Sequence, residues 1–256
     1  MAPTPTRVPR GIRASIRLAR YRPWVRANAL PGFLPSVHGF RFANRWPAGP
    51  AFELRVRYIR LGIGEVSEGL CGGMCFAAAD RFLRGELPPA DAAPPAQGTP
   101  LFDEIAWRQL VSLELGRTPL RFWWAAARCG AGLWSAGDQV RAWRAICADL
   151  DAGRPAMLGL VRSAAVNPFA LTKNHQVLGF AYEAGPARAT IRIYDPNHPG
   201  RDDVSIELRI AGLATRDVPA QATAGPAANA GPVSLAQTTG EPLLALLRLP
   251  HRPAPG

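Results

Sequence analysis

The chain has 256 residues, of which 48% are hydrophobic and 19% charged, enough for one large domain or two small ones with a real core. No run of about 18 apolar residues occurs, so no helical membrane span is expected, and the N-terminus lacks the apolar stretch and small-residue cleavage site of a secretory leader. The net charge of +11 sits in an arm: residues 1–60 hold 12 arginines against one acid, Glu53, and the remainder balances at 18 basic and 18 acidic residues.

Residues 1–35 read as an arginine- and proline-punctuated arm, solvated rather than bound to nucleic acid, because aromatic residues do not alternate with the arginines as a base-stacking platform requires. Residues 36–256 read as one folded domain. Within it, SVHGFRFANRWPAGP (36–50) is loop-like, and the alternation of apolar and charged residues from Phe52 to Ile59 suits a half-buried strand. The stretch EGLCGGMCFAAADRF (68–82) opens an apolar, small-residue helix that runs to about Arg84 and stops at Gly85 and Pro88-Pro89.

A linker, DAAPPAQGTP, leads to an amphipathic helix with apolar residues at 101, 102, 105, 106, 110 and 113, expected to end at Gly116. LRFWWAAARCG reads as a short helix, and SAGDQVRAWRAICADLDAG as another with Asp138 as its N-cap and Gly153 as its stop. Then the character changes. PAMLGLV is a continuous apolar run that suits a buried strand, and HQVLGFAYE, ATIRIYDP and VSIELRI follow as strands at hairpin-like spacing. Residues 214–240 are a low-complexity loop, and LLALLRL a last strand. Helices first and strands second indicate an α+β fold with helices packed at one side of an antiparallel sheet.

Four cysteines, Cys71, Cys75, Cys129 and Cys147, without a secretory leader argue for reduced thiols in a cytoplasmic protein. A thiol performs acyl chemistry as the thiolate, and a helix N-terminus or an adjacent imidazolium favours that form. The first helical turn also leaves N–H groups that can hold a developing oxyanion. Cys71 meets these needs if the helix begins there, with Gly72 and Gly73 presenting bare backbone beside it for substrate. If the helix begins later, Cys75 takes its place; buried helical residues are the bland alternative for both.

A cysteine nucleophile needs a base, and the base needs an orienting acceptor. His175 opens one strand and Asp195 closes the next, so on antiparallel neighbours they share one end of the sheet. Asn197 is the alternative orienter, and an Asx turn begun by Asp-Pro is the purely structural reading of Asp195. A metal site from Cys71, Cys75 and His175 is a lesser reading, since C-x-x-x-C does not match the usual zinc spacings. Neither a metal nor another cofactor is expected. His38 and His251 belong to no constellation, His198 lies near the site in sequence but is expected in an exposed turn, and Trp123, Trp124 and Trp134 are expected in the core.

The order of Cys71 at a helix start, a helical half, then NHQVL and YDPN on paired strands resembles the papain-like cysteine peptidase superfamily. The closer pattern is the bacteriocin-processing peptidase group, and the likeness covers roughly residues 60–210. It implies a papain-like fold with Cys71 as nucleophile, His175 as base and Asp195 as orienter, acting on a peptide or another amide or thioester. Two departures stand out. Glu65 occupies the upstream position where such enzymes place a Gln that donates to the oxyanion, and an ionised carboxylate only accepts; Ser67 is a possible substitute donor. CGGMC is also one residue longer than the papain spacing. An inactive binding module on the same fold is therefore the alternative function.

Overall fold

The computed structural model describes residues 26–56, 59–65, 69–167, 172–185, 187–209 and 233–254. In chain order the elements are β1 (Arg26–Ala29), α1 (Pro35–His38), β2 (Pro50–Val56), β3 (Ile59–Glu65), α2 (Cys71–Leu83), α3 (Pro100–Ser112), a 3-10 turn (Glu114–Gly116), α4 (Arg117–Gly130) and α5 (Ala136–Asp151). Strands β4 (Ala156–Val161), β5 (His175–Ala184), β6 (Arg188–Tyr194), β7 (Ser205–Arg209), β8 (Ser234–Gln237) and β9 (Ala245–Leu249) complete them. The architecture is α+β: an antiparallel sheet in the order β8-β7-β6-β5-β4-β9, with β1 added on β5, and a separate β2-β3 hairpin. Among the described residues no helix is long and apolar enough to cross a membrane.

Several elements differ from their sequence expectation for identifiable reasons. The alternation from Phe52 to Ile59 belongs to two strands, because the chain reverses between Val56 and Ile59 and pairs with itself. Part of the expected arm is in the fold: β1 pairs with β5, and Leu30 and Phe33 are buried. Likewise β8 lies inside the stretch expected to be loop; residues 214–232 of that stretch lie outside the described residues. The third helix ends at Ser112, and the corner to α4 passes through Glu114, Leu115 and Gly116, all at positive φ. Ser135, rather than Asp138, caps α5. Its hydroxyl accepts from the Asp138 amide while the Asp138 carboxylate accepts from the Ser135 amide, a reciprocal capping box.

The core gathers on strands β4 and β5. All of β4 and the first six residues of β5 are buried on both faces. One face meets the helices. Gln176 and Gly159 are cross-strand partners and so point to the same side; there Gln176 bonds to Ser112 of α3 and Gly159 makes room for Phe122 of α4. A bulge between Gly179 and Ala181 redirects β5, so that its first half pairs with β4 and its second with β1. The sheet also curls. Four strand spacings of about 4.8 Å would hold β4 and β8 about 19 Å apart in a flat sheet, yet Arg162, just past β4, donates to the Gln237 side chain of β8 at 3.1 Å.

Candidate active site

Cys71 is the first residue of α2 and is half-buried. Three links hold the start of that helix. The Asn44 side-chain oxygen accepts from the Leu70 amide at 2.6 Å and from the Trp46 indole at 2.9 Å. Gly69 permits the approach, since it sits at φ +97° and a Cβ there would lie 2.6 Å from the Asn44 amide nitrogen. From the other side, Gln109 of α3 accepts from the Gly73 amide at 2.8 Å and so satisfies one of the open donors of the first turn.

Gly72 and Gly73 serve packing rather than substrate access. Both are buried; a Cβ on Gly73 would stand 2.1 Å from the Ile105 carbonyl oxygen, and one on Gly72 2.4 Å from the Ser112 hydroxyl oxygen. The glycines let α3 lie directly on the helix that carries the thiol.

His175 and Asp195 meet as the strand-end placement predicts. Asp195 follows β6, and its Oδ1 lies 2.7 Å from Nε2 of His175; both side chains are buried. With Nε2 committed, Nδ1 is the ring nitrogen left to face the sulfur of Cys71, whose thiol the imidazole beside it lowers. The Gln176 amide also donates to the sulfur at 3.4 Å. Asp195 starts a turn at the same time: its Oδ1 accepts from the Asn197 amide at 2.9 Å and its carbonyl from the His198 amide. The Asx turn and the contact with the imidazole therefore coexist. Asn197 does not replace Asp195; its side-chain oxygen accepts from Asn44 at 3.3 Å, which ties the turn to the helix start.

The electrostatics follow from these contacts. Burial works to raise the Cys71 thiol, but the charge of His175 and hydrogen bonds from His175, Gln176 and Gly72 outweigh it and leave the thiol below its ordinary 9.0. For His175, burial disfavours the imidazolium, yet Asp195 and Cys71 beside it lift the ring from 6.5 to about 10. Asp195 is likewise opposed by burial and is held well below the usual carboxylate range by His175, the Asn197 amide and the Gln237 side chain. These directions favour a thiolate–imidazolium pair at neutral pH.

Cys75 lies elsewhere in chemistry, though only one turn away. It is fully buried, its sulfur bonds to the Gln176 carbonyl at 3.5 Å, and burial pushes its thiol well above 9.0. It does not join Cys71 and His175 as a ligand set; among the described residues no three His, Cys, Asp or Glu side chains stand together as metal ligands.

The other singled-out residues are distributed as follows. Trp123 and Trp124 are 41% and 58% exposed, so they are not core; Trp134 is half-buried against it. His38 stacks on Phe33, and His198 pairs with Glu241 at 2.9 Å. His251 belongs to a buried cluster, 3.1 Å from Asp80, which also holds Arg108 at 2.7 Å. Glu65 closes β3, and Ser67 lies outside the described residues. A cavity of about 710 Å³ lies at the α3–α4 corner, lined by Trp107, Leu110, Leu115, Arg117 and Arg252 among others; it shares no lining residue with the Cys71 site.

Asn44 and Gln237 are site residues that the sequence reading missed. Neither carries a local motif: Asn44 sits in an aromatic loop and Gln237 in a stretch that reads as low complexity. In comparisons with known proteins, the chain matches no family model, no curated protein and no solved structure.

Proposed function

We propose that this protein is a papain-like cysteine hydrolase or acyltransferase that acts on an amide or thioester through an acyl-enzyme. The observation that carries the reading is the chain of contacts from Cys71 through His175 to Asp195, with the sulfur at the first residue of a helix. The thiolate attacks the substrate carbonyl carbon, and the carbonyl π electrons move onto oxygen. At the first helical position the Cys71 amide has no partner within the helix and is the donor that α2 supplies to this oxyanion. As the intermediate collapses, the His175 imidazolium gives its proton to the leaving amine or thiol. Neutral His175 then removes a proton from water or an acceptor nucleophile, which attacks the thioester and releases Cys71. Asp195 keeps Nε2 occupied and so presents Nδ1 to the sulfur throughout.

The test is alkylation of Cys71 by iodoacetamide, followed site by site by mass spectrometry. Cys71 should react faster than half-buried Cys129, whose thiol is raised by burial, and keep reacting below the ordinary thiol range. His175→Ala should slow it at neutral pH by about 100-fold or more, the scale of a lost acid–base partner. Labelling of Cys71 no faster than Cys129 and indifferent to His175→Ala defeats the reading.

A second reading, an inactive binding module on the same fold, is favoured by Glu65 at the position where the resemblance expects a Gln donor. It predicts ligand affinity unchanged by Cys71→Ser. Loss of amide or ester turnover in that variant excludes it.

A further inference from the structure

Asp195 has more partners than orienting an imidazole requires. Its Oδ1 is shared by His175 and the Asn197 amide, and its Oδ2 accepts from the Gln237 side-chain nitrogen at 2.8 Å. Gln237 is the last residue of the edge strand β8 and is 5% exposed. Its remaining side-chain oxygen accepts from Arg162 at 3.1 Å, so both ends of the amide are engaged and the nitrogen is committed to Asp195. Arg162 comes from the far side of the sheet, just past β4, and its backbone amide is itself fixed by Asn174 at 3.1 Å. The backbone around Gln237 is pinned as well: the Thr238 amide donates to the Ser205 carbonyl, and the Ser205 amide donates to the Thr238 hydroxyl at 2.9 Å.

We propose that Gln237 is a positioning residue that clamps the second oxygen of Asp195, with Arg162 holding Gln237 from behind, so that the edge strand sets the orientation of the His175 ring. The inference rests on the acyl-enzyme reading of the same site and extends it to a strand that the sequence assigns to a loop. A carboxylate held at one oxygen can rotate about its Cβ–Cγ bond and carry the imidazole away from the sulfur. Held at both, it cannot. The amide also donates to the ionised form of Asp195 and stabilises that form over the protonated acid. The ionisable groups facing Asp195 are His175 on β5, Cys75 on α2 and Tyr194 at the end of β6, with Cys71 beyond His175 and Arg162 behind Gln237. Of these, Cys75 and Tyr194 stay neutral through the acid range.

The experiment is a double-variant cycle on the full chain. Gln237→Met keeps length and removes the donor; Gln237→Leu removes it with a branched apolar side chain of similar volume, and either suffices if the other fails to fold. Two readouts are followed from acid to neutral pH: the Cys71 alkylation rate, and the nitrogen resonances of the His175 ring. Loss of one hydrogen bond to a charged group should shift the acid limb of both upward by about one pH unit, a tenfold loss of labelling on that limb. In an Asp195→Ala background there is nothing to clamp, and Gln237→Met should produce no further shift. An unmoved limb, or the same shift in the Asp195→Ala background, overturns the proposal. Should Cys71 of the unmodified protein label no faster than Cys129, the acyl-enzyme reading fails by itself. The His175 resonances then decide the clamp alone: a shift in Gln237→Met supports it and no shift overturns it.

Discussion

At the scale of single residues, the two cysteines of CGGMC are separated by their surroundings rather than their spacing. Cys71 at the helix start meets three donors, from His175, Gln176 and Gly72, which lower its thiol; Cys75 meets a carbonyl oxygen and apolar neighbours, and its thiol is raised. The sequence leaves the choice between them open because it depends on where the first helical turn begins, and the ends of a helix are the part that sequence marks least sharply. The contrast gives a sharp expectation. Cys75→Ala removes a weak bond to the Gln176 carbonyl and a buried sulfur, so it should cost roughly 1 kcal/mol of stability. It should leave the rate and pH dependence of Cys71 alkylation unchanged, since Cys75 gives the Cys71 sulfur no donor. Labelling kinetics by mass spectrometry, paired with a urea melt, checks both halves; a Cys75→Ala protein whose Cys71 no longer reacts would assign the two sulfurs a shared role.

At the scale of elements, the thiol is placed by the packing of α2 on α3, and two glycines make that packing possible. In an exposed helix interior Gly73→Ala would stabilise by about 1 kcal/mol. Here the added Cβ falls 2.1 Å from the Ile105 carbonyl oxygen, which is backbone and has no rotamer to yield. The clash outweighs the propensity gain, and a net loss of about 1–3 kcal/mol is expected, as for other overpacked cores. A denaturant midpoint that falls, with slower Cys71 labelling, is the outcome to look for; a rise would show that the helices separate freely. The same close approach explains why the glycines mislead at sequence level: small residues beside a cysteine look alike whether they admit a substrate or a neighbouring helix. Long periodic segments such as α3 and α5 are legible because periodicity survives in any context. Short ones are not. Strand β8 is four residues of Ser-Leu-Ala-Gln after an Ala- and Gly-rich run, and its strand character comes from pairing with β7, which no local pattern records.

At the scale of the whole molecule, the curl of the sheet brings chemistry together that lies far apart in the chain. Strand-end placement makes His175 and Asp195 legible, since antiparallel neighbours must share an end; Gln237 and Arg162 are not legible, because they meet only once β4 and β8 approach across the curl. The His175–Asp195 contact also ties two strands of the core, so its ionisation bears on stability. His175 is raised from 6.5 to about 10, and its contribution is therefore full below pH 6.5 and lost as the pH rises through about 10. Asp195 is lowered from 3.8, so its contribution is present above that value and lost as the pH falls through its folded-state value. Cys71 is also lowered, from 9.0, and adds stability as the pH rises toward 9.0, which opposes the His175 loss and would mask it. The measurement therefore belongs in a Cys71→Ala background, where His175 keeps Asp195, its larger partner, and titrates at or below about 10. Urea unfolding there should show a plateau between pH 4.5, the ordinary value from which Glu207 and Glu241 are lowered, and 6.5, and a decline above it. Adding His175→Gln and Asp195→Asn should abolish the decline as it sets in above pH 6.5, before the raised thiols of Cys75 and Cys129 add their own loss near 9.0; persistence of that early decline would assign it to other groups.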